Sequence, residues 1–369
     1  MRAPSPATAG PVGQDWAIPR GLVVLLSLAA VVVTVAGITL FSSVIGPTFL
    51  ALILTVTVQP IQDWARKRGW PGWLGMLAAF SAVMLILVAL VGALALSVAQ
   101  LASQLPVYSD QLDHARGWLA YSGVSIDQIN RALQGIDVGR AVGLLETLLG
   151  GVVDLFSNLA FVVVLLLFMA VDGMSIRERL AVVASHRPAA VQALANFAHG
   201  TRKYLVVSTV FGAIVAVIDG GALWLMGVPL PVLWALLAFV TNYIPNIGFV
   251  IGVIPPALMA LLDSGPMLMV WVIVVYSVIN FVIQSIIQPK IVGDAVGLSV
   301  TITFLSLVFW TWVLGGLGAI LAIPLTLFVK ALLLDIDPST RWVDVLIGGP
   351  LPEKDPSQSD TDTDEKDTP

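Results

Sequence analysis

Apolar residues in this chain come in long unbroken runs. They lack the alternation of a half-buried strand and the narrow stripe of a surface helix. Runs of roughly 20 apolar residues recur, the length that crosses a hydrocarbon core of about 30 Å. They predict spanning helices over 21–41, 44–58, 73–98, 151–171, 204–226 and 267–288. Two further apolar stretches are interrupted. The first, 229–262, breaks at Asn242-Tyr243-Ile244-Pro245-Asn246-Ile247-Gly248. The second, 301–330, breaks at Gly315-Gly316-Leu317-Gly318 and carries Pro324 further on. The predicted fold is an all-α polytopic membrane protein with about six full transmembrane helices plus two broken or re-entrant helical hairpins.

The interruptions matter because lipid cannot satisfy free backbone groups. Proline removes a donor and breaks a helix, and asparagine and glycine add turn chemistry. Irregular backbone at membrane depth is tolerated only where protein or a water-filled cavity covers it. At 1.5 Å per residue the arms of the first hairpin and the first arm of the second are about 20 Å long, short of the core. Paired, interrupted apolar segments in corresponding positions point to a transporter binding site. Whether each hairpin is re-entrant or crosses twice, it adds an even number of crossings.

The segments between the runs set the expected organisation. Residues 1–19 read as a flexible cytoplasmic N-terminus and 20–99 as transmembrane helices 1–3. Residues 100–150 carry charges between leucines at helical spacing and predict an amphipathic extracytoplasmic insert. Residues 151–203 hold the fourth helix and a basic cytoplasmic connector. The fifth helix and first hairpin occupy 204–262, and the sixth helix and second hairpin 263–334. An amphipathic tail (335–350) and a disordered acidic tail (351–369) follow. The first apolar run has no clear cleavage site and reads as a retained helix. Lys and Arg placement favours a topology with both termini cytoplasmic, in which the two hairpins enter from opposite faces.

Composition agrees with a membrane protein: of 369 residues, 58% are hydrophobic and only 11% charged, against about 25% charged in soluble domains. The net charge of −5 resides in the last 19 residues, with seven acids against two lysines. There is no cysteine, and His114, His186 and His199 are too scattered for a metal cluster, so neither a metal nor a cofactor is expected. No phosphate-binding loop and no HExxH appears, which argues against an enzyme. No basic domain suggests nucleic acid.

Few polar residues lie inside the spans. Asp219 is the one acid well within a predicted helix. An intramembrane carboxylate is a functional candidate by default, here a coupling group; the bland reading is an acid near the outer interface. Gly220-Gly221 beside it would allow close helix approach. Asn280, Gln284 and Gln288 recur at i, i+4, i+8 and predict one polar face, either lining a path or bonding between helices. Lys290, after Pro289, reads as a positive-inside anchor.

Three stretches resemble the AI-2E (autoinducer-2 exporter-like, PerM-like) transporter family. The first is Gln59-Pro60 running to Arg66-Lys67-Arg68-Gly69-Trp70-Pro71. The second is Gly227-Val228-Pro229 leading into Asn242–Gly248 and on to Ile254-Pro255. The third runs from Pro289-Lys290-Ile291-Val292-Gly293 through Gly297-Leu298 and Gly315–Gly318 to Ile323-Pro324-Leu325 and Lys330. The resemblance covers roughly residues 20–350. Asn246 stands where the family usually has an aromatic residue, and Asp219 where a small or hydroxyl residue is expected.

The resemblance implies a multi-pass transporter of the bacterial cytoplasmic membrane, working as a homo-oligomer. The founding member is associated with autoinducer-2 export, and others with sodium/proton antiport. The expected activity is secondary export of a small polar solute, or ion-coupled antiport. On this reading, Asn242, Tyr243, Pro245, Asn246, Gly248, Asn280, Gln284, Gln288, Gly315, Gly316 and Gly318 form the path and gate. Pro60, Pro255, Pro289, Lys290, Gly293 and Pro324 are structural. A scaffolding protein and a passive channel are the alternatives. The first would show partner capture through residues 101–150, and the second flux without saturation.

Overall fold

The computed structural model describes residues 19–121 and 159–336, apart from 174, 246 and 289–296. Among them the chain is almost wholly helical. Six helices are long and apolar enough to cross a membrane, covering Gly21–Leu40, Ser42–Lys67, Gly72–Ser97, Pro188–Leu225, Pro266–Ile287 and Gly316–Asp335. A bent pair, Leu159–Gly173 followed by Glu178–His186, is a seventh candidate.

Helix α1 (Arg20–Leu40) is apolar all round and lies on the outside of the fold, against α2 (Ser42–Lys67) and α10 (Val300–Leu314). Two prolines interrupt the hydrogen-bond ladder of α2, Pro47 and Pro60. Pro60 has no N–H for the carbonyl four residues back, which belongs to Val56. A distant side chain replaces it. The guanidinium of Arg202 donates to the Val56 carbonyl from Nε (3.3 Å) and Nη2 (3.1 Å), and from Nη2 to Gln59 Oε1 (3.1 Å). The Gln59-Pro60 junction is thus a docking point for another helix.

Helix α3 (Gly72–Tyr121) is one element of 50 residues, about 75 Å at helical rise. It passes without a break through residue 100, where the sequence suggested that membrane helix gives way to insert. The rest of the insert, residues 1–18 and residues 337–369 lie outside the described residues. Helix α4 (Leu159–Gly173) represents the fourth predicted span. The basic connector is helical, as α5 (Ile176–His186) and the first turns of α6.

Helix α6 (Pro188–Leu225) is the axis of the fold. It packs against α2, α5, α7 (Pro231–Thr241), α9 (Pro266–Asn280) and α11 (Gly316–Lys330). Its N-terminal half seats α11, where Leu327 fits against Gly200. Its C-terminal half seats the first hairpin, where Ala235 fits against Gly220. Gly221 meets nothing. One buried cluster joins α6 to the second hairpin through Tyr204, Leu307, Trp310, Leu321 and Leu325. A second joins Leu223 and Trp234 to Val272 and Tyr276 of α9.

Both interrupted stretches form helical hairpins whose arms pack on each other. In the first, α7 ends at Thr241 and α8 (Gly248–Ser264) starts after the turn. In the second, α10 ends at Leu314 and Gly315 turns the chain with φ 67° and ψ −146°, a conformation essentially confined to glycine. The hairpins are unequal. The second arm of the second hairpin continues through a π-helical turn, Ala331–Asp335, and reaches spanning length. Lys330 closes that end with an ion pair to Asp335 at 3.0 Å.

Candidate functional site

One face of α6 carries Tyr204, Ser208, Gly212, Val215 and Asp219, spaced three or four residues apart and all buried. At helical periodicity these form a continuous stripe. The tip of the first hairpin lies on it. The Tyr204 hydroxyl donates to the Tyr243 carbonyl (2.7 Å), and the Tyr243 hydroxyl bonds the Thr209 hydroxyl (2.6 Å). Asn242 Nδ2 donates to the Ser208 carbonyl (3.1 Å), with the Asn242 side chain seated against Gly212. A methyl group at Gly212 would sit 3.0 Å from Asn242 Nδ2, so the close approach depends on glycine there.

The turn is polar but closed. Ile244 N–H donates to the Thr241 carbonyl (2.8 Å), Ile247 N–H to Pro245 (2.7 Å) and Gly248 N–H to Ile244 (3.1 Å). The exposed polar backbone expected of a membrane break is therefore met locally. Gly248 is needed for space: a Cβ there would overlap the Thr241 carbonyl oxygen. Ile244 and Ile247 insert into the cluster built by α6 and the second hairpin.

Helix α9 supplies the third wall. Gln284 Nε2 donates to Asn242 Oδ1 (3.3 Å) and to Asn280 Oδ1 (3.0 Å), and Asn280 Nδ2 donates to the Tyr276 carbonyl (2.9 Å). A chain of amides thus runs from α6 through the hairpin tip to α9. Helix α9 passes into a π-helical segment, Phe281–Ile287, whose i→i+5 bonding widens the turn. Gln288 is half-buried and does not line the site.

Asp219 lies behind this chain. It is 0% exposed, and neither carboxylate oxygen has a hydrogen-bond partner among the described residues. The Tyr276 hydroxyl, also fully buried, is unpartnered as well. Both line a cavity of about 10 Å³ with Thr241, Asn242, Phe249, Gly252, Asn280 and Gln284. That is room for about one water molecule. A larger hollow of about 500 Å³ on the other side shares Phe249, Asn280 and Gln284, and adds Ser277 and Ser285. The three shared residues form a partition between an outer hollow and a buried carboxylate.

The structure thus brings together Asp219, Asn242, Asn280 and Gln284, with Tyr243, Pro245 and Gly248 in the turn that positions them. Gly315 and Gly316 are exposed at the other hairpin, and Gly318 is buried where a Cβ would overlap the Trp310 carbonyl. Pro60 is exposed on α2, Pro255 half-buried in α8 and Pro324 buried in α11. Asn246, Pro289, Lys290 and Gly293 lie outside the described residues. Sequence reading missed Tyr204, Ser208, Thr241 and Tyr276. The period of the α6 stripe was the available signal, and it was masked by uniformly apolar flanks.

Residues 28–337 match the model of the AI-2E family transporter, most of the chain. This protein belongs to the AI-2E transporter family. Among its AI-2E relatives, YhhT of Escherichia coli (strain K12) is 30% identical over 314 residues, 84% of this chain and 90% of YhhT. The AI-2 transport protein TqsA of the same strain is 29% identical over 317 residues, again 84% of this chain and 91% of TqsA. YrrI of Bacillus subtilis (strain 168) is 24% identical over 312 residues, 80% of this chain and 88% of YrrI. An AI-2E transporter is a multi-pass membrane protein, and the six apolar spans fit that assignment.

Proposed function

We propose that this AI-2E transporter is a secondary transporter of the cytoplasmic membrane that exports a small polar solute, of the kind TqsA is named for, or exchanges ions. Both termini are cytoplasmic in this reading, the working unit is a homo-oligomer, and the first hairpin is the gate. The carrying observation is the amide chain that ties the hairpin tip to α6 and α9 in front of Asp219. Amides offer donors and acceptors without a fixed charge, so they can exchange partners with a polar solute as the tip moves. The outer hollow is the entry side and the partition of Phe249, Asn280 and Gln284 the barrier. Asp219 is the coupling group. Alternating access then moves the tip off the α6 stripe.

The test is flux in proteoliposomes across a panel of small polar solutes, with and without proton and sodium gradients. Asn242→Ala and Gln284→Ala remove the tip's amide contacts, and each is expected to lower flux by about tenfold, the equivalent of ~1.4 kcal/mol. Wild-type flux in both variants would remove the gate from this reading.

A further inference from the structure

We propose that the turn between α2 and α3 binds the phosphate headgroup of an anionic phospholipid. Arg66, Lys67 and Arg68 supply the charge, and Trp64, Trp70 and Trp73 the apolar frame around it.

The first observation is a rigid turn. Helix α2 ends at Lys67 and α3 starts at Gly72. Between them Gly69 takes φ 77°, in the left-handed region that suits glycine. Its N–H donates to the Arg66 carbonyl (3.0 Å), and the Trp70 N–H donates to the Ala65 carbonyl (3.1 Å). This is the paired closure of a glycine-capped helix end, in which the residue past the glycine packs back on the last turn. Here the Trp70 ring meets the Trp64 ring edge to face, 6.0 Å between centroids. The three cations are thus presented from a fixed frame.

The second observation is uncompensated charge. Arg66, Lys67 and Arg68 are consecutive, and no acid follows them until Asp110. Asp63, on the preceding turn, is half-buried and already engaged. Lys67 and Arg68 are exposed, and none of the three cations forms an ion pair among the described residues. The Arg68 guanidinium lies over the Trp64 ring, with Cζ 4.0 Å from the centroid. Stacking uses the flat face of the guanidinium and leaves its N–H edge for an oxyanion such as phosphate.

The third observation places the charge at headgroup depth. Trp64, Trp70 and Trp73 are all exposed, as are Ile61 and Leu77 on the adjoining turns. Exposed indoles gather where a span meets the membrane surface, and α2 and α3 both have spanning length. A soluble anion leaves these indoles without a purpose. So does the acidic segment 351–369, which is almost wholly polar. A phospholipid meets both halves of the surface, phosphate on the cations and glycerol and acyl groups on the indoles.

The test uses the full-length protein in detergent, titrated with dioctanoyl-phosphatidylglycerol or dioctanoyl-phosphatidylcholine and followed by thermal unfolding. Phosphatidylglycerol is expected to raise Tm saturably and phosphatidylcholine to have little effect. Replacing all three cations, Arg66→Gln, Lys67→Gln and Arg68→Gln, should weaken phosphatidylglycerol binding by about a hundredfold. Should that variant fail to fold, Arg68→Gln alone should weaken it by about fivefold. Arg179→Gln with Arg187→Gln, which removes as much exposed charge from α5 and its junction with α6, should leave it unchanged. An equal response to phosphatidylcholine overturns the site, as does undiminished binding in the folded turn variants or an equal loss in the α5 pair. Glycerol phosphate acting as strongly as the lipid overturns it in favour of a soluble anion. A lipid response that appears only after residues 351–369 are removed overturns it in favour of the acidic segment.

Discussion

The two hairpins begin from similar sequence and end as different devices. Each is an apolar stretch broken by a glycine-containing turn. Each also has a glycine just past the break whose Cβ would overlap a carbonyl of the preceding arm, Gly248 against Thr241 and Gly318 against Trp310. The arms close in the same way. The first hairpin places polar groups at its tip and plugs them into α6 and the segment that continues α9, with Tyr243 and Asn242 engaged. The second places bare glycines at its tip and buries leucines, alanines and one indole. Between its two arms Trp310 Nε1 donates to Thr326 Oγ1 at 3.1 Å. A helix break is thus needed for a hairpin, but the side chains at the break decide whether it becomes a site.

The largest expected effect comes from the shared closure. Gly248→Ala and Gly318→Ala each force a methyl into backbone, and overpacking of this kind costs about 1–3 kcal/mol or more. Both variants should lose Tm to a similar degree in detergent. Their transport should differ. Gly248→Ala moves the arm that carries Asn242, so flux per folded molecule is expected to fall about tenfold or more, whereas Gly318→Ala should keep most of it. Equal flux losses would mean that both tips serve the path, and the comparison drawn above would be wrong.

How much of this could be read from the chain follows the same division. The hairpins were legible because turn residues cluster at each break, Asn242, Pro245, Asn246 and Gly248 at the first and Gly315, Gly316 and Gly318 at the second. The amide pair Asn280 and Gln284 was legible as an i, i+4 spacing. Gln288, the third amide of that series, is half-buried and is not among the residues lining the small cavity. Asp219 was singled out by its charge. Its neighbours Tyr276 and Thr241 were not, because a tyrosine or threonine among aliphatics reads as packing until the fold aligns it with an acid. Pro60 shows the limit most clearly. That it frees the Val56 carbonyl follows from local chemistry, but the donor, Arg202, arrives from more than a hundred residues away.

That contact gives the next prediction. Arg202 sits on α6, the helix that carries both hairpins, so its loss should not distinguish them. Arg202→Met keeps the aliphatic stem and removes the donors to Val56 and Gln59. Hydrogen bonds from a charged group contribute about 1.5–3 kcal/mol, and a loss of stability of that order, read as a lowered Tm, is expected. Flux per folded molecule should change little. A selective loss of flux with unchanged Tm would instead tie the α2–α6 junction to gating.

The smallest effects belong to the tip of the second hairpin, and they separate two adjacent glycines. Gly315 adopts φ 67° and ψ −146°, where a side chain is strained by about 1–3 kcal/mol. Gly316 begins α11 with nothing within 4 Å of an added Cβ. Gly315→Ala should therefore lower stability by about 1 kcal/mol. Gly316→Ala should raise it by about 0.5–1 kcal/mol through helix propensity. Thermal unfolding of the pair in one detergent reads the difference directly. If both were neutral, the second tip would be loose enough to relax around either methyl. Its turn would then be held by the α10–α11 interface alone, with no contribution from the glycine conformation, and the contrast with the anchored first tip would widen.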